Sequence, residues 1–202
     1  MALTRNLVVL SKRLSLRSAT AILLVLLACN PPRFSNPLSD PRTAKADPRL
    51  VGVWNADMKN EKVTITVVAD VGASVDLVLV GDHGSGKGAE VGWFHAFPSV
   101  ISGKTYLNVK AKRRIGDFGS DKTETDKEGF FLRYEVNNEA LTLWVMDGKE
   151  VKAAVALGTL KGSVDTEEDV HVTSDTGTLA NFVKNANDAK LFRKLGTFRR
   201  QR

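Results

Sequence analysis

The chain has 202 residues, 43% of them hydrophobic, a formal net charge of +6 and one cysteine. That length and composition suit one domain with an adequate core, and a lone cysteine excludes an internal disulfide. The first 28 residues hold four of the 29 basic residues and none of the 23 acidic ones, so the rest of the chain carries 25 basic against 23 acidic groups; the basic balance therefore gives no reason to expect a nucleic-acid partner.

The N-terminal stretch carries Arg5, Lys12, Arg13 and Arg17 ahead of the apolar run from Ala21 to Ala28. This is the charged region and hydrophobic region of a signal peptide. The run is about half of the roughly 20 residues that a spanning helix needs, and Asn30-Pro31-Pro32 ends it. Leu26-Leu27-Ala28-Cys29 resembles the lipobox of bacterial lipoproteins. The resemblance implies that residues 1–28 are a lipoprotein signal peptide and that Cys29 becomes an N-terminus bearing palmitate-class acyl chains. Membrane, through that anchor, is then the first partner. Asn30 stands where enteric lipoproteins retained at the inner membrane carry Asp, which implies a cell-envelope address at the outer membrane, facing the periplasm.

Five of the six prolines (Pro31, Pro32, Pro37, Pro41 and Pro48) fall in residues 29–48, which show no hydrophobic period. An extended, solvated tether is expected there, carrying a domain over 49–202.

From Leu50 the apolar residues alternate, as in Val63, Ile65 and Val67 or Leu141, Leu143 and Val145, which marks strands with one buried face. Eight strands are expected at about 50–56, 61–69, 74–81, 89–97, 104–112, 129–137, 140–147 and 150–158. Ser102-Gly103, Asn137-Asn138-Glu139 and Asp147-Gly148 are turn sequences, the last suited to a type I′ hairpin. Short links imply an antiparallel meander, and closing it removes both exposed edges. The fold class expected is all-β, an antiparallel eight-stranded up-and-down barrel with a C-terminal helix. Ser174 or Asp175 caps that helix, whose Leu179, Phe182 and Val183 share a face. A second turn from Asp188 bears Leu191 and Phe192, and Phe131, Trp144 and Met146 offer an outer surface for both. Arg193, Lys194, Arg199, Arg200 and Arg202 then form a basic tail, expected to be solvated.

Gly52-Val53-Trp54 on a first strand, eight meandering strands and a closing helix resemble the lipocalin-type barrel. Phe94-His95-Ala96, Tyr106 to Val109, Arg133-Tyr134 with Leu141 to Asp147, and Leu191-Phe192 further resemble a group of uncharacterised lipocalin-like bacterial lipoproteins, over about residues 48–195. The resemblance implies that Trp54 closes the barrel floor. In lipocalins a late-strand Arg often stacks on that tryptophan; with 150–158 as the last strand, Lys152 is the nearest substitute.

Gly81 to Gly88 approaches the phosphate-cradling pattern G-x-x-x-x-G-K-[ST] but ends on Gly88 where a hydroxyl is required and runs into a strand, so it reads as a hairpin loop. None of the three histidines stands in a zinc-ligand spacing. His171, beside Asp165, Glu167, Glu168 and Asp169, is the best of them, and a solvated acidic loop is the expectation there. Lys112 to Glu128 lacks the EF-hand spacing and reads as a charged connection. No nucleophile comes with a base and orienter, so neither a catalytic set nor a cofactor is expected.

The sequence thus points to a non-enzymatic envelope lipoprotein that holds a small apolar or amphipathic ligand in a barrel, with Trp93, His95, Tyr106 and Tyr134 at its cavity or mouth. The alternative is a filled barrel serving as a scaffold for an envelope protein, through its outer surface, the long charged connection and the basic tail.

Overall fold

A computed structural model of the chain describes residues 31–58, 61–82, 89–115, 128–165 and 169–202. The signal segment 1–28 and Cys29 lie outside the described residues, as do 83–88 of the glycine-rich stretch, 116–127 of the charged connection, and Glu167 with Glu168. The elements are, in order, β1 (Arg33–Phe34), β2 (Gly52–Met58), β3 (Glu61–Ala69), β4 (Val75–Asp82), β5 (Ala89–Ile101), β6 (Lys104–Ile115), β7 (Phe130–Val136) and β8 (Ala140–Met146). Then follow α1 (Gly148–Ala156), β9 (Gly162–Val164), β10 (Val170–Val172), α2 (Thr176–Asn185), α3 (Asp188–Leu191) and β11 (Phe192–Arg200).

Strands β2 to β8 form an antiparallel meander that β11 closes into an eight-stranded barrel, pairing with β8 on one side and β2 on the other. Seven of the expected strands form where alternation and turn residues place them. Their inward residues, among them Val63, Ile65, Val67, Leu77, Leu79, Leu107, Leu132 and Leu143, make the first core. Burial of each such side chain stabilises the fold by about 1.5–3 kcal/mol.

The expected eighth strand at 150–158 is instead helix α1. Asp147, in an extended conformation, accepts a hydrogen bond from the Lys149 amide at 2.8 Å and starts the helix, so Asp147-Gly148 caps rather than turns a hairpin. Three alanines favour helix, and Val151 and Ala154, three apart, are the buried pair. The helix stops at Gly158, whose φ of 72° is a left-handed conformation that a side chain would strain.

The closing strand is the segment expected to be a solvated basic tail. Between Lys194 and Gly196 its register with β8 shifts, leaving Leu195 as the extra residue of a bulge. Phe198 enters the barrel core and Leu195 packs against it, while Arg193 and Lys194 are exposed.

Between β8 and β11 the chain builds a second layer over the outside of β6, β7 and β8. Phe131, Met146 and Tyr106, which face outward from the barrel, pack with Val151, Leu160, Val170, Val172, Leu179, Val183 and Leu191, and Trp144 packs beside them. This is the outer surface expected to receive the C-terminal helix, which is α2, capped by Asp175 through the Thr178 amide.

Residues 33–39 pack on the same layer and Leu50 enters the barrel, where a solvated tether was expected, while 41–49 are largely exposed. Strand β1 pairs in parallel with β10, and Phe34 exchanges two backbone hydrogen bonds with Gly129. Phe34 and Leu38 are buried in the second core and Leu50 in the first. The Leu38 amide donates to Asn108 Oδ1 at 2.7 Å, and Ser39 meets Ser99 at 2.5 Å. Prolines set the bends of this strap, but its apolar side chains decide where it lies.

Candidate functional site

One end of the barrel is closed by its own residues. Asp47 caps a short 3-10 turn over Pro48–Leu50 that brings Leu50 into the interior. Trp54 is fully buried and donates from Nε1 to the Leu50 carbonyl at 2.8 Å. Tyr134, also inside, donates to Asp47 Oδ2 at 3.2 Å. Burial raises the Tyr134 pKa well above its ordinary value. The hydrogen bond from Arg49 holds the Asp47 carboxyl below the usual carboxylate range.

Arg200, near the end of β11, completes this floor. Its guanidinium lies 4.1 Å from the centre of the Trp54 ring. It donates to the carbonyls of Val51 at 2.7 Å, Arg49 at 2.5 Å and Asn138 at 3.0 Å. Gly52, two residues before Trp54, has a φ of 142°, a conformation that favours glycine, and a Cβ there would push on the Arg200 guanidinium. The cation that stacks on Trp54 is Arg200; Lys152, expected in that place, lies on α1.

Above the floor, among the described residues, the interior is lined by apolar side chains, including Val63, Leu77, Phe94, Leu132 and Phe198, around a cavity of about 60 Å³. Phe130 and Leu195, partly buried, pack against the same core. The strand ends at Met58 and Glu61, Asp82 and Ala89, and Ile115 and Phe130 lie at the opposite end. Asp82 and Ala89, which flank the glycine-rich stretch, pair on adjacent antiparallel strands.

The four residues expected around one cavity are placed in three environments. Tyr134 is inside. Tyr106 is buried outside the barrel wall, its ring centre 5.5 Å from that of Phe192, and burial pushes its pKa up to about 12. Trp93 and His95 face outward on β5, because the competing alternation, Gly92, Phe94 and Ala96, points in.

On that outer wall Trp93 and His95 join a polar cluster that the sequence reading missed. His95 Nδ1 lies 3.2 Å from Asp76 Oδ1 and 3.4 Å from Asp70 Oδ2. Lys112 is the extra residue of a bulge opposite Trp93 and Phe94, and its Nζ reaches both oxygens of Asp76 at 2.8 and 2.9 Å. Burial opposes ionisation of Asp76, but the hydrogen bonds from Lys112 and His95 keep its pKa below the ordinary value. Trp93 donates to Asp76 at 3.3 Å, lies 5.1 Å beneath the Lys112 ammonium and remains 42% exposed.

Comparison with known protein families, with curated proteins and with solved structures finds no match to this chain. Among the described residues, no helix is long and apolar enough to cross a membrane.

Proposed function

We propose that this chain is a cell-envelope lipoprotein, anchored in the outer membrane through lipidated Cys29, whose lipocalin-like barrel is filled by its own side chains and serves as a non-enzymatic scaffold for an envelope protein partner. The observation that carries the scaffold reading is the interior cavity of about 60 Å³. Pockets for small molecules run to about 300–1,000 Å³. The lipobox supports the anchor, and the floor of Gly52, Trp54 and Arg200 supports the lipocalin-like assignment. The surface offered to a partner is the outer face of β4 and the first half of β5, where exposed Trp93 between Asp76 and Lys112 suits a protein contact.

A second reading, a carrier of a small apolar molecule, is favoured by the wholly apolar lining of the interior. Native mass spectrometry of the full chain extracted from membranes separates the two. The scaffold reading expects an acyl mass on Cys29, absent from Cys29→Ser, and no other small molecule. A stoichiometric apolar ligand would replace it with the carrier reading, and an unacylated membrane-extracted chain would remove the anchor.

A further inference from the structure

A histidine on the second layer brings together carboxylates from separate parts of the chain. His171, on β10, has Nδ1 3.0 Å from Glu128 Oε2, at the foot of β7, and Nε2 3.8 Å from Asp165 Oδ2, in the turn between β9 and β10. Asp165, Asp169 and His171 each offer a ligand atom, and these atoms lie within 4.8 Å of one another. Hydrogen bonds between the two ends of the turn, Asp169 N to Asp165 Oδ1 at 3.1 Å and Asp165 N to Asp169 O at 3.0 Å, hold both aspartates beside the ring.

We propose that His171, Asp165 and Asp169 form a binding site for a zinc-class divalent cation, with Glu128 orienting the imidazole. Three features favour a metal over a solvated acidic turn. Two ligands on one tetrahedral zinc, each about 2.0–2.2 Å from the ion, stand roughly 3.3–3.5 Å apart, so the 3.8 Å between Nε2 and Oδ2 needs only a small side-chain adjustment. Metal-bound histidines regularly give their second ring N–H to a carboxylate, the place that Glu128 takes. One imidazole among carboxylates selects zinc-class ions over calcium and magnesium, which prefer oxygen alone.

The outer-wall histidine provides the contrast. There an ammonium, Lys112 Nζ, already bridges both oxygens of Asp76, and one ring nitrogen of His95 serves both aspartates. A metal at His171 would link Asp165 and Asp169, which flank β9 and β10, to Glu128 ahead of β7.

Calorimetric titration of the full-length protein in detergent, with Zn²⁺ as the probe and Mn²⁺ and Ca²⁺ as comparisons, tests the site. One Zn²⁺ per chain is expected, bound more tightly than Mn²⁺ or Ca²⁺. Affinity should fall by at least about tenfold in His171→Asn and in Asp165→Asn, fall by about 10–100-fold in Glu128→Gln, and stay unchanged in His95→Gln. Asp165 is exposed, so its variant reports on the site without endangering the fold. The proposal is overturned if wild type binds no Zn²⁺, if Ca²⁺ binds more tightly, if Asp165→Asn and His171→Asn bind as well as wild type, or if His95→Gln abolishes binding.

Discussion

The interior of the barrel and the layer packed outside it use the same apolar residue types, but they are assembled differently. Inside, from β2 to β8 each strand pairs with the next in the chain, and alternation alone delivers the core residues. Outside, the core joins residues that are far apart in sequence: Phe34 stacks on Phe131 with ring centres 4.2 Å apart, β1 pairs with β10, and Asn108 holds the Leu38 amide. The inner core therefore rests on local hairpins from β2 to β8, with β11 closing it from far along the chain, whereas the outer core depends on long-range contacts with the strap and the barrel wall. Most of the first needs only short loop closures, while the second closes longer loops against the outer face of the barrel wall.

That contrast has consequences of graded size. The largest is at the floor: Trp54→Ala should lower unfolding free energy by about 3–5 kcal/mol, because a cavity opens where Arg200, Leu50 and the strap converge, and urea unfolding measures it. Next, Leu143→Ala inside and Leu179→Ala outside delete the same atoms from the two cores, each at a cost of about 2–5 kcal/mol. If the layers unfold together, both variants move one transition, seen alike by circular dichroism and by tryptophan fluorescence. If Leu179→Ala produces a separate early transition, the outer layer is an independent unit and the comparison sharpens into a hierarchy. Smaller again is Asn108→Ala, which removes the acceptor of the Leu38 amide along with the bonds to Phe97 O and Ser99 Oγ. Leaving a buried amide unpaired costs about 1–3 kcal/mol, and faster hydrogen exchange across residues 33–39 should accompany the loss.

The same division explains what could be read from the chain itself. Seven strands were legible because alternation, turn dipeptides and hairpin spacing agree. Helix α1 was misread because Val151, Ala153, Val155 and Leu157 alternate as well as any strand; its counter-signals were the alanines and an Asp before the run. Strand β11 was hidden by its bulge, which puts Leu195 and Phe198 three apart, and by its arginines, so Arg200 could not be matched to Trp54. The strap was masked by prolines, although Phe34, Leu38 and Leu50 are apolar residues that a solvated tether does not need. On β5 two alternations compete, Val91 and Trp93 against Phe94 and Ala96, and the second faces in, which leaves Trp93 and His95 on the outer wall. Glu128 was out of reach of any local reading, because it meets His171 only through the closure of the outer layer.

Asp47 gives the finest test, because it belongs to the strap yet acts inside the barrel. Its side chain is 11% exposed, bonded to Arg49 and to the buried Tyr134 hydroxyl. Its folded pKa lies below the ordinary value, chiefly through Arg49, so ionised Asp47 favours the folded state. That contribution is fully present above the unfolded carboxylate pKa, about 3.9, and is lost as the pH falls through the lower folded value. The stability difference between wild type and Asp47→Asn should be no more than about 1 kcal/mol, since Arg49 is largely solvated. It should hold steady from about pH 7 to pH 5 and shrink below about pH 4, as read from urea unfolding at each pH. A difference that instead grows toward acid would mean that the Asp47–Tyr134 contact does not support the floor, and that the strap and the barrel interior are coupled through Leu50 and Trp54 alone.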